Sequence, residues 1–228
     1  GKVLHIVQSP LYAGQVPIRS LQQAVVRLGM GTLHSLVMEV AVNVRVFRAS
    51  LYRNLMEQLR NHSRATAYAM RVTSRYAGLD AEYAFLFGLL HDVGIAGLLI
   101  AVSEQQSRGT RPGLSSLWPA LELVHEAASG LMAQLWGLPD ELGELMRHHH
   151  HVLGTGEAST MIAALQISER IVTDLGWGFH AKGLGLPEDM IVDGNDWPEF
   201  GAACKLLAIN SRVYRAMVAE TKEVLDMI

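Results

Sequence analysis

FGLLHDVGIAGLLIA, residues 87–101, sets a histidine and an aspartate, His91 and Asp92, side by side in one of the most apolar segments of the chain. A charge buried without a partner costs several kcal/mol. The pair therefore needs a compensating group, and the nature of that group decides what the segment is for. From Phe85 to Val102 eighteen residues are nearly all apolar, close to the roughly 20 that a membrane-spanning helix needs. In a membrane, however, His91 and Asp92 would fall near the bilayer centre, where ionisable groups are rare. Gly88, Gly94 and Gly97 also interrupt the run. The stretch is expected to be the interior of a cytoplasmic protein, not a span.

The rest of the composition fits that expectation. The chain has 228 residues, half of them hydrophobic, and a formal net charge of −3. There is enough apolar material for a large core. No basic tail or stripe offers the clustered Lys and Arg on which phosphate-backbone binding depends, so nucleic acid is disfavoured as a partner. The single cysteine, Cys204, excludes an internal disulfide and suits a reducing compartment. No secretory leader pattern opens the sequence.

Working outward from the quoted stretch, the periodicity is helical nearly throughout, and an all-α bundle is expected. Asp80 is placed to cap a helix running to about Asp92, with Gly94 breaking it and Ile95–Val102 resuming. Upstream, Ala49–Tyr76 predicts one or two helices. Leu21, Ala24, Val25 and Leu28 form an apolar face after a Ser20 cap, and Leu33–Phe47 predicts a buried helix. Downstream, Gln105–Ser116 is a polar loop and Leu117–Trp136 a helix. Pro139 suits the first turn of the next helix, which ends near four consecutive histidines. Ala158–Leu175 is helical, Gly176–Asp196 mostly loop, and two further helices close the chain, the last from about Ser211 to Met227. One domain over residues 1–228 is expected, with an N-terminal helical part at 1–48, a core at 49–176 and a C-terminal loop and helices at 177–228. Because KVLHIVQS begins inside an apolar pattern without a cap, further helices are expected before it.

Histidines and acids recur within or at the ends of these apolar helices: His62, the His91–Asp92 pair, His125, the run His148–His151, and Glu169. Imidazole and carboxylate are the ligand set of zinc, iron and manganese sites. Taken singly, each residue has a structural explanation. A lone histidine bonds a carbonyl, Asp92 caps a following helix, and Glu169–Arg170 is a surface pair. Their order, each on a separate helix, points instead to a shared metal site. Neighbours on a helix diverge by about 100°, so His91 and Asp92 converge best where a helix ends, with Gly94 supplying the turn. A carboxylate there can bridge two ions, and the cation offsets its desolvation.

These motifs resemble the HDOD domain, the HD-related output domain of bacterial signalling proteins, within the HD superfamily of metal-dependent phosphohydrolases. The resemblance rests on FLFGLLHDVG, on His62 in NHSRATAYAMRV, on HEAASGLMAQLWGLPDELGELMRHHHH, and on VLHIVQSPLYAGQVPIRSLQQAVVRLG, where Gln8 replaces the usual Asn. It covers about Val3 to Leu175. It implies an all-α fold and a ligand set of His62, His91, Asp92, His125, a His–His pair and Glu169. Counting from Trp136–Pro139 gives His149–His150 as that pair; counting from the later Gly-x-Gly gives His148–His149. Glu169 stands where the family has Asp, and its arm is longer by roughly 1.5 Å, one carbon–carbon bond.

Two functions follow from the resemblance. The first is a regulatory module that binds signalling proteins, with one or two divalent ions (iron, manganese or zinc). The second is a phosphohydrolase or cyclic-dinucleotide phosphodiesterase in which Asp92 is catalytic and Arg64 and Arg147 contact phosphate. The related HD-GYP enzymes carry a Lys where this chain has Ile95, and a Gly-Tyr-Pro signature where it has Gly156–Glu157–Ala158. Both departures favour the regulatory role. A diiron redox or gas sensor fits the same ligands, and the sequence leaves the oligomeric state open.

Overall fold

The computed structural model describes residues 52–105, 113–151, 156–179 and 198–227. The expected helices at 21–28 and 33–47 lie outside them. The described residues are helical, with no strand among them. In chain order the helices are α1 (Arg53–Ala77), α2 (Ala81–Leu90), α3 (Val93–Gln105), α4 (Leu114–Leu135), α5 (Asp140–Arg147), α6 (Glu157–Asp174), α7 (Pro198–Leu206) and α8 (Ser211–Leu225).

α1 is the axis of the bundle. It is one continuous helix, and its stretch from Ala65 to Ser74 is wholly buried. It packs against α2, α6 and α8, while α3 lies on α4 and α4 on α5. A main core joins Leu59, Tyr68, Phe85, Leu90, Leu99, Leu142 and Leu165, and a second, smaller core ties Val72 and Ile167 to Ala203 and Met217 of the last two helices. Inside the main core Arg71 is 2% exposed; it pairs with Glu82 at 2.6 Å and lies 4.0 Å over the Phe85 ring. Burial of a guanidinium is tolerable only with such partners.

The junctions show why the helices stop where they do. Gly78 ends α1 with φ +69°, a left-handed conformation cheap only for glycine. Asp80 then caps α2 by accepting from the Glu82 and Tyr83 amides at 2.9 and 2.8 Å, as expected. Asn210 caps α8 in the same way. Pro139 is the N-cap of α5, one position before the first turn. α4 begins at Leu114, so Ser115 and Ser116 belong to a helix and not to the polar loop.

The apolar stretch quoted above is two helices, α2 and α3, broken at His91–Asp92. By length and composition Ala81–Gln105 could cross a membrane, but it is mostly buried within the protein. Gly94 is not the breaker that its sequence position implied. It lies inside α3, and its φ is not positive. Its function is close approach: a Cβ there would stand 2.2 Å from the His125 carbonyl oxygen and 2.5 Å from the Ser129 nitrogen. Its amide donates to Ser129 Oγ at 2.9 Å. Gly88 likewise lets α2 approach α1 at Thr66 and Ala67.

Gly94→Ala is therefore expected to force α3 off α4 and to destabilise the fold by about 1–3 kcal/mol or more, the usual cost of overpacking. Gly97→Ala meets only the flexible Met132 side chain, at 3.2 Å, and should cost much less. Urea unfolding of the two variants side by side measures the difference.

Candidate metal centre

The break between α2 and α3 turns two adjacent side chains toward one point. His91 is the C-cap of α2, and Asp92 precedes the first residue of α3. Around them gather His62 from α1, His125 from α4, His149 and His150 from the turn after α5, and Glu169 from α6. All are buried except His150, which is exposed at the rim.

These seven residues form two groups that share Asp92. One is His62, His91, Asp92 and Glu169; the other is Asp92, His125, His149 and His150. The carboxylate of Asp92 is divided between them. Its Oδ2 lies 3.3 Å from His91 Nε2 and 3.8 Å from His62 Nε2. Its Oδ1 lies 3.3 Å from His149 Nε2 and 3.7 Å from His125 Nε2. Glu169 Oε1 closes the first group at 3.4 Å from His91 and 3.9 Å from His62. His150 Nε2 closes the second, 3.0 Å from His125 Nε2. Two donors about 2.1 Å from one ion at a tetrahedral angle are roughly 3.4 Å apart, so these spacings suit shared coordination.

The outer nitrogens fix the tautomers. Nδ1 of His91 faces the Gly88 carbonyl at 2.9 Å, that of His125 the Glu122 carbonyl at 2.8 Å, that of His149 the Met146 carbonyl at 2.8 Å, and that of His62 the Trp177 carbonyl at 3.2 Å. A carbonyl only accepts, so each Nδ1 carries the proton and donates. In the neutral ring Nε2 then has its lone pair free and aimed inward, the arrangement metal-ligating histidines adopt. Among the described residues, His91 Nε2, His149 Nε2 and Asp92 Oδ1 are buried without a hydrogen-bond partner. Three unsatisfied polar atoms meeting at one point are costly unless something charged binds them. The residues thus fit a divalent ion in each group.

Electrostatics within the cluster follow from crowding. Burial works against a charge on His91, but Asp92 and Glu169 beside it outweigh that and raise its pKa well above the ordinary 6.5. Burial likewise opposes the two carboxylates; His91 and His149 hold Asp92 well below its usual range, and His91, His150 and His62 hold Glu169 at about 2. His62 is lowered, chiefly by burial and then by the charge of His91. Loss of hydration and the adjacent His149 ring hold His150 at about 4, although part of the residue reaches the surface.

Of the two registers open in the histidine run, the geometry brings in His149 and His150. His148 and His151 face outward, toward Glu144 at 3.5 Å and Glu126 at 3.6 Å. The expected phosphate contacts are Arg147 and Arg64. Arg147 lies against Gly130 and beside Glu144 at 3.4 Å, in a groove between α4 and α5. Arg64, half-buried on α1, stands two positions and about 200° around the helix from His62. Sequence reasoning missed the supporting residues. Glu126 accepts the His150 amide at 2.9 Å. Phe179, in contact with Trp118, lies 6.0 Å from the His62 ring. No sequence pattern signals the Trp177 carbonyl, but an acid next to a ligand, as Glu126 is to His125, could have been flagged.

A sequence model of the HDOD domain matches residues 1–152. No curated protein matches the chain. Among solved structures, a candidate metal-dependent phosphohydrolase from Shewanella amazonensis SB2B superposes with a TM-score of 0.70 at 15% identity, over 98% of this chain and 79% of its own. An HDOD domain protein of unknown function from Geobacter sulfurreducens gives 0.64 at 21% identity, over 100% and 81%. A further candidate phosphohydrolase from S. amazonensis SB2B gives 0.60 at 19%, over 99% and 81%. These likenesses show the same helical fold.

A pH dependence follows for metal-stripped protein. His91 has a folded pKa above 6.5, so its stabilising charge is fully present below 6.5 and is lost as pH rises through the folded value. His62 and His150 have folded pKa values below 6.5, so the unfolded chain takes up their protons first and stability falls as pH drops from 6.5 toward about 4. The melting temperature of chelated protein should therefore be highest near pH 6.5 and fall on both sides. Metal added at pH 7 should release about one proton, from His91. Calorimetry in buffers of different ionisation enthalpy counts it.

Proposed function

Because this chain belongs to the HDOD domain family, we propose that it is a cytoplasmic output module of bacterial signal transduction, built around a pair of divalent ions and acting through partner signalling proteins. The observation that supports the ion pair most directly is the division of the Asp92 carboxylate, one oxygen toward each histidine group. His62, His91 and Glu169 would hold one ion with it, and His125, His149 and His150 the other. A mixed imidazole and carboxylate set suits iron, manganese or zinc. Such an ion, when bound, lowers the pKa of a coordinated water and so supplies hydroxide near neutral pH.

The surroundings support regulation over hydrolysis. A phosphodiester substrate needs a cation beyond the metal. At the place where related enzymes present a Lys, Ile95 is buried, 5% exposed. Arg147 is engaged by Glu144. The Gly-Tyr-Pro signature of the hydrolases is replaced by Gly156–Glu157–Ala158. One observation favours the second reading, a phosphohydrolase: the ligand set is complete, and exposed His150 turns one half of it toward solvent.

Metal content by elemental mass spectrometry, on protein prepared without chelator or added metal, is expected to be one or two equivalents. Asp92→Ala should lose the metal and about 3 kcal/mol of stability, since removing it leaves buried charge uncompensated. With Mn2+ added, hydrolysis of bis(p-nitrophenyl) phosphate and of cyclic dinucleotides should not exceed the Asp92→Ala background. Turnover that the mutation abolishes would establish the hydrolase instead. Well-folded protein without metal would overturn both.

A further inference from the structure

The two halves of the cluster are held differently, and the difference lies in a residue outside the ligand set. In the first half His62, His91, Asp92 and Glu169 are all buried and come from helices packed into the main core. In the second half His149 and His150 sit on the turn that follows α5. His149 is fixed through its ring, which donates to the Met146 carbonyl at the end of that helix. His150 is exposed; its ring meets His125 Nε2 at 3.0 Å, and its main chain is held separately. Its amide donates to Glu126 Oε1 at 2.9 Å, while Glu126 Oε2 faces His151 Nε2 at 3.6 Å. Glu126 is only 20% exposed in its side chain and follows His125 directly on α4. Two consecutive residues of α4 thus grip the same turn, His125 through the ring of His150 and Glu126 through its backbone.

We propose that Glu126 is the positioning residue of the second metal site: it latches the His148–His151 turn onto α4 and thereby sets whether the ion held by His125, His149 and His150 is retained. The inference rests on the two-ion reading above. A charge-assisted hydrogen bond from a backbone amide to a carboxylate is short and directional, and here it fixes the one exposed ligand. Without it the turn keeps His149, and His150 is left with only its ring contact to His125. The first ion, whose ligands do not touch the latch, is unaffected. The second site is therefore the exchangeable one, and the state of the latch decides between a one-ion and a two-ion form of the protein.

The test uses the full 228-residue chain, stripped with chelator and titrated with Mn2+, with bound metal counted after desalting and the spin coupling read by electron paramagnetic resonance. Wild type is expected to take two Mn2+ and to show the spectrum of a coupled pair. Glu126→Ala should keep one Mn2+, bind the second about 10–100-fold more weakly, as loss of a ligand-orienting partner commonly does, and show an uncoupled spectrum. Glu126→Gln should restore both ions, because its amide oxygen accepts the same N–H. If Glu126→Ala retains two ions as tightly as wild type, the latch is wrong and the two-ion reading stands. If Glu126→Gln behaves like Glu126→Ala, the hydrogen bond is not the cause and the proposal fails. Should Glu126→Ala not fold, the Glu126→Gln result decides alone. Wild type that takes fewer than two ions overturns the latch and the two-ion reading together.

Discussion

Several of the described helices converge on one buried carboxylate, and its burial must be made acceptable. Asp92 sits in the apolar middle of the bundle, 6% exposed, with imidazole nitrogens on both sides of it. Bare ionisation there costs several kcal/mol, so its neighbours must carry or attract positive charge. That requirement explains why five different helices or helix ends send a histidine or a carboxylate to the same place. It also explains why the chain breaks at His91–Asp92: an unbroken helix would direct the two side chains about 100° apart.

Packing serves the same end. α3 approaches α4 closely enough that Gly94 touches the His125 backbone, and α2 approaches α1 through Gly88. The carbonyl of Gly88 in turn receives the His91 ring. Side-chain volume is removed where backbones must meet, and the backbone so placed orients the ligands. Arg71, a second buried charge a few turns along α1, is handled by a different device: one carboxylate and one aromatic face. Its partners lie on one side within the fold, whereas the histidine cluster turns ring nitrogens from several helices onto the two oxygens of one carboxylate. That contrast separates a charge placed to hold a fold together from charges placed to hold something else.

Much of this was legible in the sequence because it depended on residue type and periodicity. The helix capped by Asp80 follows from local chemistry, and His62, the His91–Asp92 pair, His125 and Glu169 stand out as polar groups in apolar helices. What was not legible depended on tertiary distance. Gly94 looks like a helix breaker in one dimension and is a contact surface in three. Arg147 lies two residues from His149, yet its side chain points into the groove beside Glu144. The choice between two histidine registers turned on which rings face His125, which no count along the chain decides. Glu169 lies beyond residues 1–152, where the family match ends, so a conserved-domain boundary and the boundary of the cluster are different things.

The span of the chain that the cluster draws together has a kinetic meaning. His62 receives its orienting carbonyl from Trp177, 115 positions away, and its carboxylate neighbour Glu169 is nearly as distant. Contacts of such long sequence separation bear a large loop-closure entropy and form late. The first group is therefore complete only when α6 packs on α1, whereas the second, Asp92, His125, His149 and His150, draws on neither helix. The two halves of the cluster thus differ in how much of the chain must come together before their side chains meet.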